Sequence, residues 1–71
     1  MKELFTFTQT IKELRKENKM TQKQVAEKLG ITYQSYQSYE HGISQPTLEN
    51  FIKIANIYDV SLDYLIGKSK Y

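Results

Sequence analysis

The run TQKQVAEKLGITYQSYQSYEHG, residues 21–42, constrains this chain more than any other, because it contains two capped helical segments with almost nothing between them. Thr21-x-x-Gln24 has the form of a capping box, in which the Thr hydroxyl accepts the N–H three residues on and the Gln side chain reaches back. Val25, Ala26 and Leu29 then share one helical face, and Gly30 supplies the stop, since helices commonly end on a residue at positive φ. Ile31 is expected as a buried linker. Thr32 caps the next helix, which runs through Glu40 and ends at Gly42. Two short helices joined by so tight a turn have to cross steeply, as in a helix-turn-helix. Their close approach predicts small residues, Ala26 and Ser35, at the crossing.

The rest of the chain follows the same period. Apolar residues recur at three and four, no strand-length alternating run occurs, and Gly and Pro are scarce, so the chain reads as all helical. Phe7, Ile11, Leu14 and Asn18 share a stripe behind a candidate box at Thr6-x-x-Gln9, which predicts a first helix over about 7–18. Thr47 caps a fourth helix with Leu48, Phe51, Ile52, Ala55 and Tyr58 expected inward. Ser61 caps a short fifth carrying Leu62, Leu65 and Ile66, closed by Gly67. The 71 residues are expected to form a single domain, residues 1–71, with a frayed tail at 68–71.

Composition narrows the function. With no Cys there is neither a disulfide nor a thiolate metal site, which fits a cytoplasmic setting. No apolar run approaches the roughly 20 residues of a membrane span, and MKELFTFTQT is too short and polar for a signal peptide. One His and no paired carboxylates argue against an enzyme, a metal, a cofactor or a small-molecule site. The net charge is only +2, but residues 1–31 carry seven Lys and Arg against four Glu, a balance compatible with phosphate contacts.

A helical wheel divides the third helix lengthwise. Counting 3.6 residues to a turn, Tyr33, Gln37, His41, Gln34 and Ser38 follow one another, in that order, around a single outer arc. Tyr39 and Tyr36 fall on the opposite side of the wheel, toward the core. The outer arc is uncharged and rich in amides, and Gln makes a bidentate pair with the N6/N7 edge of adenine. A merely solvated face would more usually carry Lys and Glu.

TQKQVAEKLGITYQSYQSYEHGISQPTLENFIKIANIYDVSLDYLIG resembles the Cro and phage-repressor type (Xre-like) helix-turn-helix regulators, from about Ile11 to Gly67. The shared features are Thr21-Gln22, Ala26 four before Gly30, Glu40 two before Gly42, Pro46 and the closing VSLDYLIG. The resemblance implies a compact all-α five-helix bundle of the lambda-repressor-like type, with the motif at about 21–42 and recognition by the helix at about 33–40. It implies that Gln22 contacts phosphate and sometimes a base edge, that Tyr33, Gln34, Gln37 and Ser38 face bases or backbone, and that Arg15 pairs with Glu40. Lys23, beside Gln22, is expected to hold phosphate. His41, at the end of the recognition helix, is expected against phosphate or solvent. Three departures stand out: Tyr36 and Tyr39 replace branched aliphatics, Asp59 replaces a Gly, and the recognition helix lacks the Arg or Lys that reads guanine.

These features predict a bacterial or phage regulator of transcription that binds double-stranded DNA. It would be a repressor acting as a homodimer on a pseudo-palindromic operator, with the dimer able to form on the DNA. The dimer contact is expected at Tyr64 and Ile66, with Leu62 turned inward. The competing reading is a protein-interaction module on the same fold, an antitoxin or adaptor.

Overall fold

Four hydroxyl side chains start four of the helices. Thr21, Thr32, Thr47 and Ser61 each sit in extended backbone and accept the N–H of the residue three further on, at 3.0–3.1 Å. At Thr21 the box is complete, because Gln24 Oε1 also accepts the Thr21 N–H at 2.8 Å. The computed structural model describes residues 2–68, and the order is α1 (Lys2–Glu17), α2 (Gln22–Leu29), α3 (Tyr33–His41), α4 (Leu48–Tyr58) and α5 (Leu62–Leu65). No strand occurs among the described residues.

The helix ends share one device. Lys19, Gly30, Gly42, Asp59 and Gly67 all have positive φ. In each case the next N–H returns to the carbonyl five residues back, as in Met20 to Arg15, Ile31 to Ala26 and Val60 to Ala55. Asp59 at φ 54 therefore adopts the left-handed conformation at a position where the family pattern has Gly, without the Cβ-free backbone that Gly would bring.

The core is a single cluster built from Phe7, Ile11 and Leu14 of α1, Val25, Ala26 and Leu29 of α2, Tyr36 and Tyr39 of α3, Ile54 and Ala55 of α4, and Leu65 of α5. The two tyrosine rings meet edge to face, with centroids 6.2 Å apart. Tyr39 keeps its hydroxyl partnered by accepting from Asn50 Nδ2 at 3.1 Å. Rings thus fill the space between α3 and its neighbours, where the family pattern implied aliphatic side chains.

Several expectations are corrected. α1 begins at Lys2, five residues before the expected start, so Thr6 lies inside the helix and caps nothing. Leu4, one turn before Phe7, extends the apolar stripe onto the core and explains the longer helix. Asn18 lies beyond α1 and is exposed, its Nδ2 donating to the Leu14 carbonyl at 2.7 Å. Ser35 is not at the helix crossing. It is exposed, and its hydroxyl oxygen accepts from Thr32 Oγ1 at 2.9 Å. Ile31 is half-buried rather than buried.

The inner face of α4 is also rotated from the expected one. Leu48 is 70% exposed and Ile52 42%, while Ile54, not among the expected residues, is 1% exposed. The apolar residues of α4 cover a broad arc opposite Glu49, Lys53 and Asn56, so residue type alone does not choose which part of that arc is buried. On a helical wheel Ile54, Tyr58 and Phe51 cluster within one arc, and Ile52 falls outside it on the side of Leu48. In α5, Leu65 is buried, Leu62 is exposed rather than inward, and Ile66, just past the helix, is half-buried. Lys68 is held rather than frayed, its N–H donating to the Asp63 carbonyl at 2.8 Å. The rest of the expected frayed tail lies outside the described residues.

The α5 end closes against α1. A Cβ on Gly67 would lie 2.7 Å from Thr6 Cγ2, so both the positive φ and the contact require Gly there.

Tyr58 presents an anomaly, because its hydroxyl is buried and has no hydrogen-bond partner among the described residues. Burial pushes its ionisation up to about 12. An unmade buried hydrogen bond costs about 1–3 kcal/mol, so Tyr58→Phe should melt at or above the parent temperature. A clearly lower melting temperature in a thermal scan would mean that the hydroxyl has a partner.

Candidate nucleic-acid interface

The site is organised around a carboxylate inside the protein. Glu40, in the last turn of α3, is 2% exposed. Burying a carboxylate is costly unless its oxygens are met by donors. Four donations reach it: Arg15 Nε at 2.7 Å and Nη2 at 3.1 Å, Gln22 Nε2 at 3.0 Å, and the Tyr36 hydroxyl at 2.5 Å. Arg15 binds both oxygens, the fork geometry in which a guanidinium is strongest, and its Nη1 also donates to the Met20 carbonyl at 3.2 Å. α1, the start of α2 and the end of α3 are thereby tied at one point.

The ionisation follows from these contacts. Burial alone would raise the Glu40 carboxyl, but hydrogen bonds from Arg15, Tyr36 and Gln22, with the Arg15 charge, bring it below its ordinary value. The hydrogen bond to Glu40 raises the Arg15 guanidinium. Burial, followed by the same carboxylate, raises Tyr36.

From this anchor the outer face can be described residue by residue. Tyr33 starts α3 and is half-buried, with Lys23 Nζ of α2 lying 5.5 Å from the centre of its ring. The Tyr33 hydroxyl accepts from Gln37 Nε2 at 2.9 Å. Gln34 and His41 are exposed. Ser38 is half-buried and donates its hydroxyl to the Gln34 carbonyl at 3.1 Å, a local back-bond to its own helix. Gln22 is half-buried with its amide turned onto Glu40, while Lys23 beside it is exposed. Arg15, Gln22, Lys23 and Tyr33 line one open depression at the seam of α1, α2 and α3.

Two docked helices of eight and nine residues, joined through Gly30, Ile31 and Thr32, decide the family. Residues 11–65 match the helix-turn-helix family. The chain belongs to it.

Relatives agree. The uncharacterized HTH-type transcriptional regulator YqaE of Bacillus subtilis is 48% identical over 84% of this chain and 52% of its own length. The cryptic phage CTXphi transcriptional repressor RstR of Vibrio cholerae is 44% identical over 76% of this chain and 48% of its own. The HTH-type transcriptional regulator ImmR of Bacillus subtilis is 40% identical over 84% and 47%. The chain thus spans about half the length of the curated relatives it matches. No solved structure matches significantly. These relatives carry the names of transcriptional regulators or repressors. Among the described residues no acidic, His or Cys cluster could hold a metal, and no helix is long and apolar enough to cross a membrane.

Sequence reasoning missed two of the Glu40 donors and the contacts of Tyr33. Tyr36 and Glu40 stand four apart on a helix, a spacing that places side chains together and could have revealed that bond. The Gln22 and Lys23 contacts cross between helices and carry no such signal.

Because Glu40 titrates below its ordinary value when folded, its stabilisation is complete above the unfolded pKa of 4.5 and is lost as acid protonates the folded form. Glu40→Gln should cost about 3 kcal/mol or more near neutral pH, as in other buried pairs stripped of one partner. The difference between parent and variant should shrink as the pH falls below 4.5 and acid protonates the folded carboxylate. Urea melts at several pH values check this, and a difference that stays constant on acidification contradicts it.

Proposed function

We propose that this chain binds double-stranded DNA sequence-specifically and regulates transcription as a cytoplasmic repressor. The observation that carries the reading is the outer arc of α3, where uncharged amides and hydroxyls stand exposed or half-exposed beside the N-terminus of α2 and Lys23. α3 enters the major groove, and Gln34 and Gln37 read base edges there, favouring adenine. Tyr33 and Ser38 contact bases or sugar-phosphate, and His41 lies against phosphate. The α2 N-terminus and Lys23 hold the backbone, since the first N–H groups of a helix favour an anion. Gln22 contributes indirectly, by fixing the α2 start to Glu40, and to phosphate when DNA is bound. Family membership and the name of the relative RstR support the repressor role.

The chain acts as a homodimer on a pseudo-palindromic operator, because one recognition helix covers a single half-site. Pairing runs through the segment around α5. Tyr64 and Ile66 are both half-buried, and exposed Leu62 adds apolar surface beside them. A protein-interaction role as antitoxin or adaptor is the alternative, and the salt dependence of binding to duplex DNA separates it from this reading.

Gln34→Ala and Gln37→Ala should each weaken discrimination at one base pair by about 1–3 kcal/mol while leaving the melting temperature near the parent value. Selection of duplexes from a random pool, followed by binding titrations, measures this. Unchanged preference in both variants would remove α3 as the reading element. Inserting about five base pairs between half-sites should abolish cooperative binding by turning them to opposite faces. If the stretched site binds as tightly, the chain works as independent monomers.

A further inference from the structure

Gln37 differs from Gln34 in one respect that bears on how the surface reads. We propose that Tyr33 is a positioning residue for readout, holding the Gln37 amide so that the two side chains address the DNA as a single unit. The proposal rests on the DNA-binding reading above.

A Gln side chain on an open helix face has three free torsions, and ordering them on contact with a base reduces the net gain from that contact. Gln37 is already restrained. It stands one turn after Tyr33 on the same stripe of α3, and its Nε2 donates to the Tyr33 hydroxyl at 2.9 Å. Tyr33 is restrained in turn: its ring is half-buried, and the Lys23 ammonium from α2 lies 5.5 Å from the ring centre. The arrangement runs from α2 through the ring to the amide. Among the described residues, Gln34 has no comparable side-chain partner. Its carbonyl takes the Ser38 hydroxyl, and its amide is left to solvent.

The chemistry left over suits a base edge. A carboxamide has two N–H groups and one carbonyl. With one N–H given to Tyr33, Gln37 keeps one donor and one acceptor, the pair that adenine N7 and the N6 amine require. The Tyr33 oxygen, having accepted from Gln37, still carries its own O–H to donate to a neighbouring base acceptor or a phosphate oxygen. The Lys23 ammonium packs against the ring and keeps its N–H groups for phosphate. A backbone anchor and a base reader therefore share one aromatic ring.

Tyr33→Phe tests this, because it deletes the hydroxyl and preserves both the ring and its contact with Lys23. Parent, Tyr33→Phe, Gln37→Ala, Gln34→Ala and the Tyr33→Phe/Gln37→Ala double variant are titrated against a selected duplex and against the set with each base pair substituted. Thermal melts confirm that each variant is folded. Gln37→Ala is expected to reduce discrimination at one base pair about tenfold, within the range of a bidentate contact. Tyr33→Phe is expected to reduce it about five- to tenfold at that same base pair. The double variant should be no worse there than Gln37→Ala alone, and the base pair sensed by Gln34 should be unaffected. Such non-additivity at one position is not produced by a general loss of packing.

The proposal is overturned if Tyr33→Phe keeps the parent profile, or if it weakens every duplex equally, as loss of a sugar-phosphate contact would. It is also overturned, with the DNA-binding reading intact, if Gln37→Ala leaves all preferences unchanged while Gln34→Ala relaxes one. A parent that shows no preference among duplexes removes both.

Discussion

Glu40 is a buried carboxylate that three helices have to satisfy at once. Its charge would be prohibitive in an apolar core of this size, yet Arg15 from α1, Gln22 from α2 and Tyr36 from its own helix supply donors to both oxygens. The same contacts fix geometry. Arg15 sets where α1 crosses the end of α3, and Gln22 sets where α2 begins relative to it. An apolar substitute could fill the volume, but it would not specify these positions through directed bonds. Everything on the outer face of α3 is placed relative to this point, because Tyr36 and Glu40 form the inner side of the helix whose outer side carries Tyr33, Gln34, Gln37 and His41.

The small size of the chain explains the economy of its helix ends. The helices are short, so unsatisfied terminal N–H and carbonyl groups make up a large share of the backbone. Hydroxyl caps at four starts and a left-handed residue after each of the five helices meet that demand locally. Two of the left-handed positions are Lys19 and Asp59, where Gly would adopt the conformation without strain. The hydroxyl of Tyr58, buried near the Arg15–Glu40 pair and left without a partner among the described residues, is a second local cost.

In the proposed DNA-binding reading, the outer face separates two functions that recognition requires. Lys23 and the α2 start carry cationic and N–H character toward a backbone, whereas the exposed amides of α3 carry hydrogen-bonding specificity without charge. Tyr33 lies where the two meet, touching Lys23 on one side and Gln37 on the other. α3 itself carries no Arg or Lys, so in that reading attraction to phosphate comes from Lys23 and the α2 start rather than from the reading helix.

Residue order alone was enough to place most of the helices and their punctuation. Thr21, Thr32, Thr47 and Ser61 act through bonds to residues three away, and Gly30, Gly42 and Gly67 through their own backbone, so these features are local and visible in the chain. The division of α3 into an inner face with Tyr36 and Tyr39 and an outer arc with Gln34 and His41 was legible for the same reason: a fixed period and a contrast in polarity. The face of α4 was not. Leu48, Ile52 and Ile54 are all apolar, and only packing against the other helices chose Ile54 for the core and left the other two outside. The true start of α1 also depended on contacts of Leu4 and Thr6 with the rest of the fold. The meeting of Gln22 with Glu40, and of Lys23 with Tyr33, came from the way the helices dock. Each joins residues on different helices, and no periodicity within one helix encodes the distance between two.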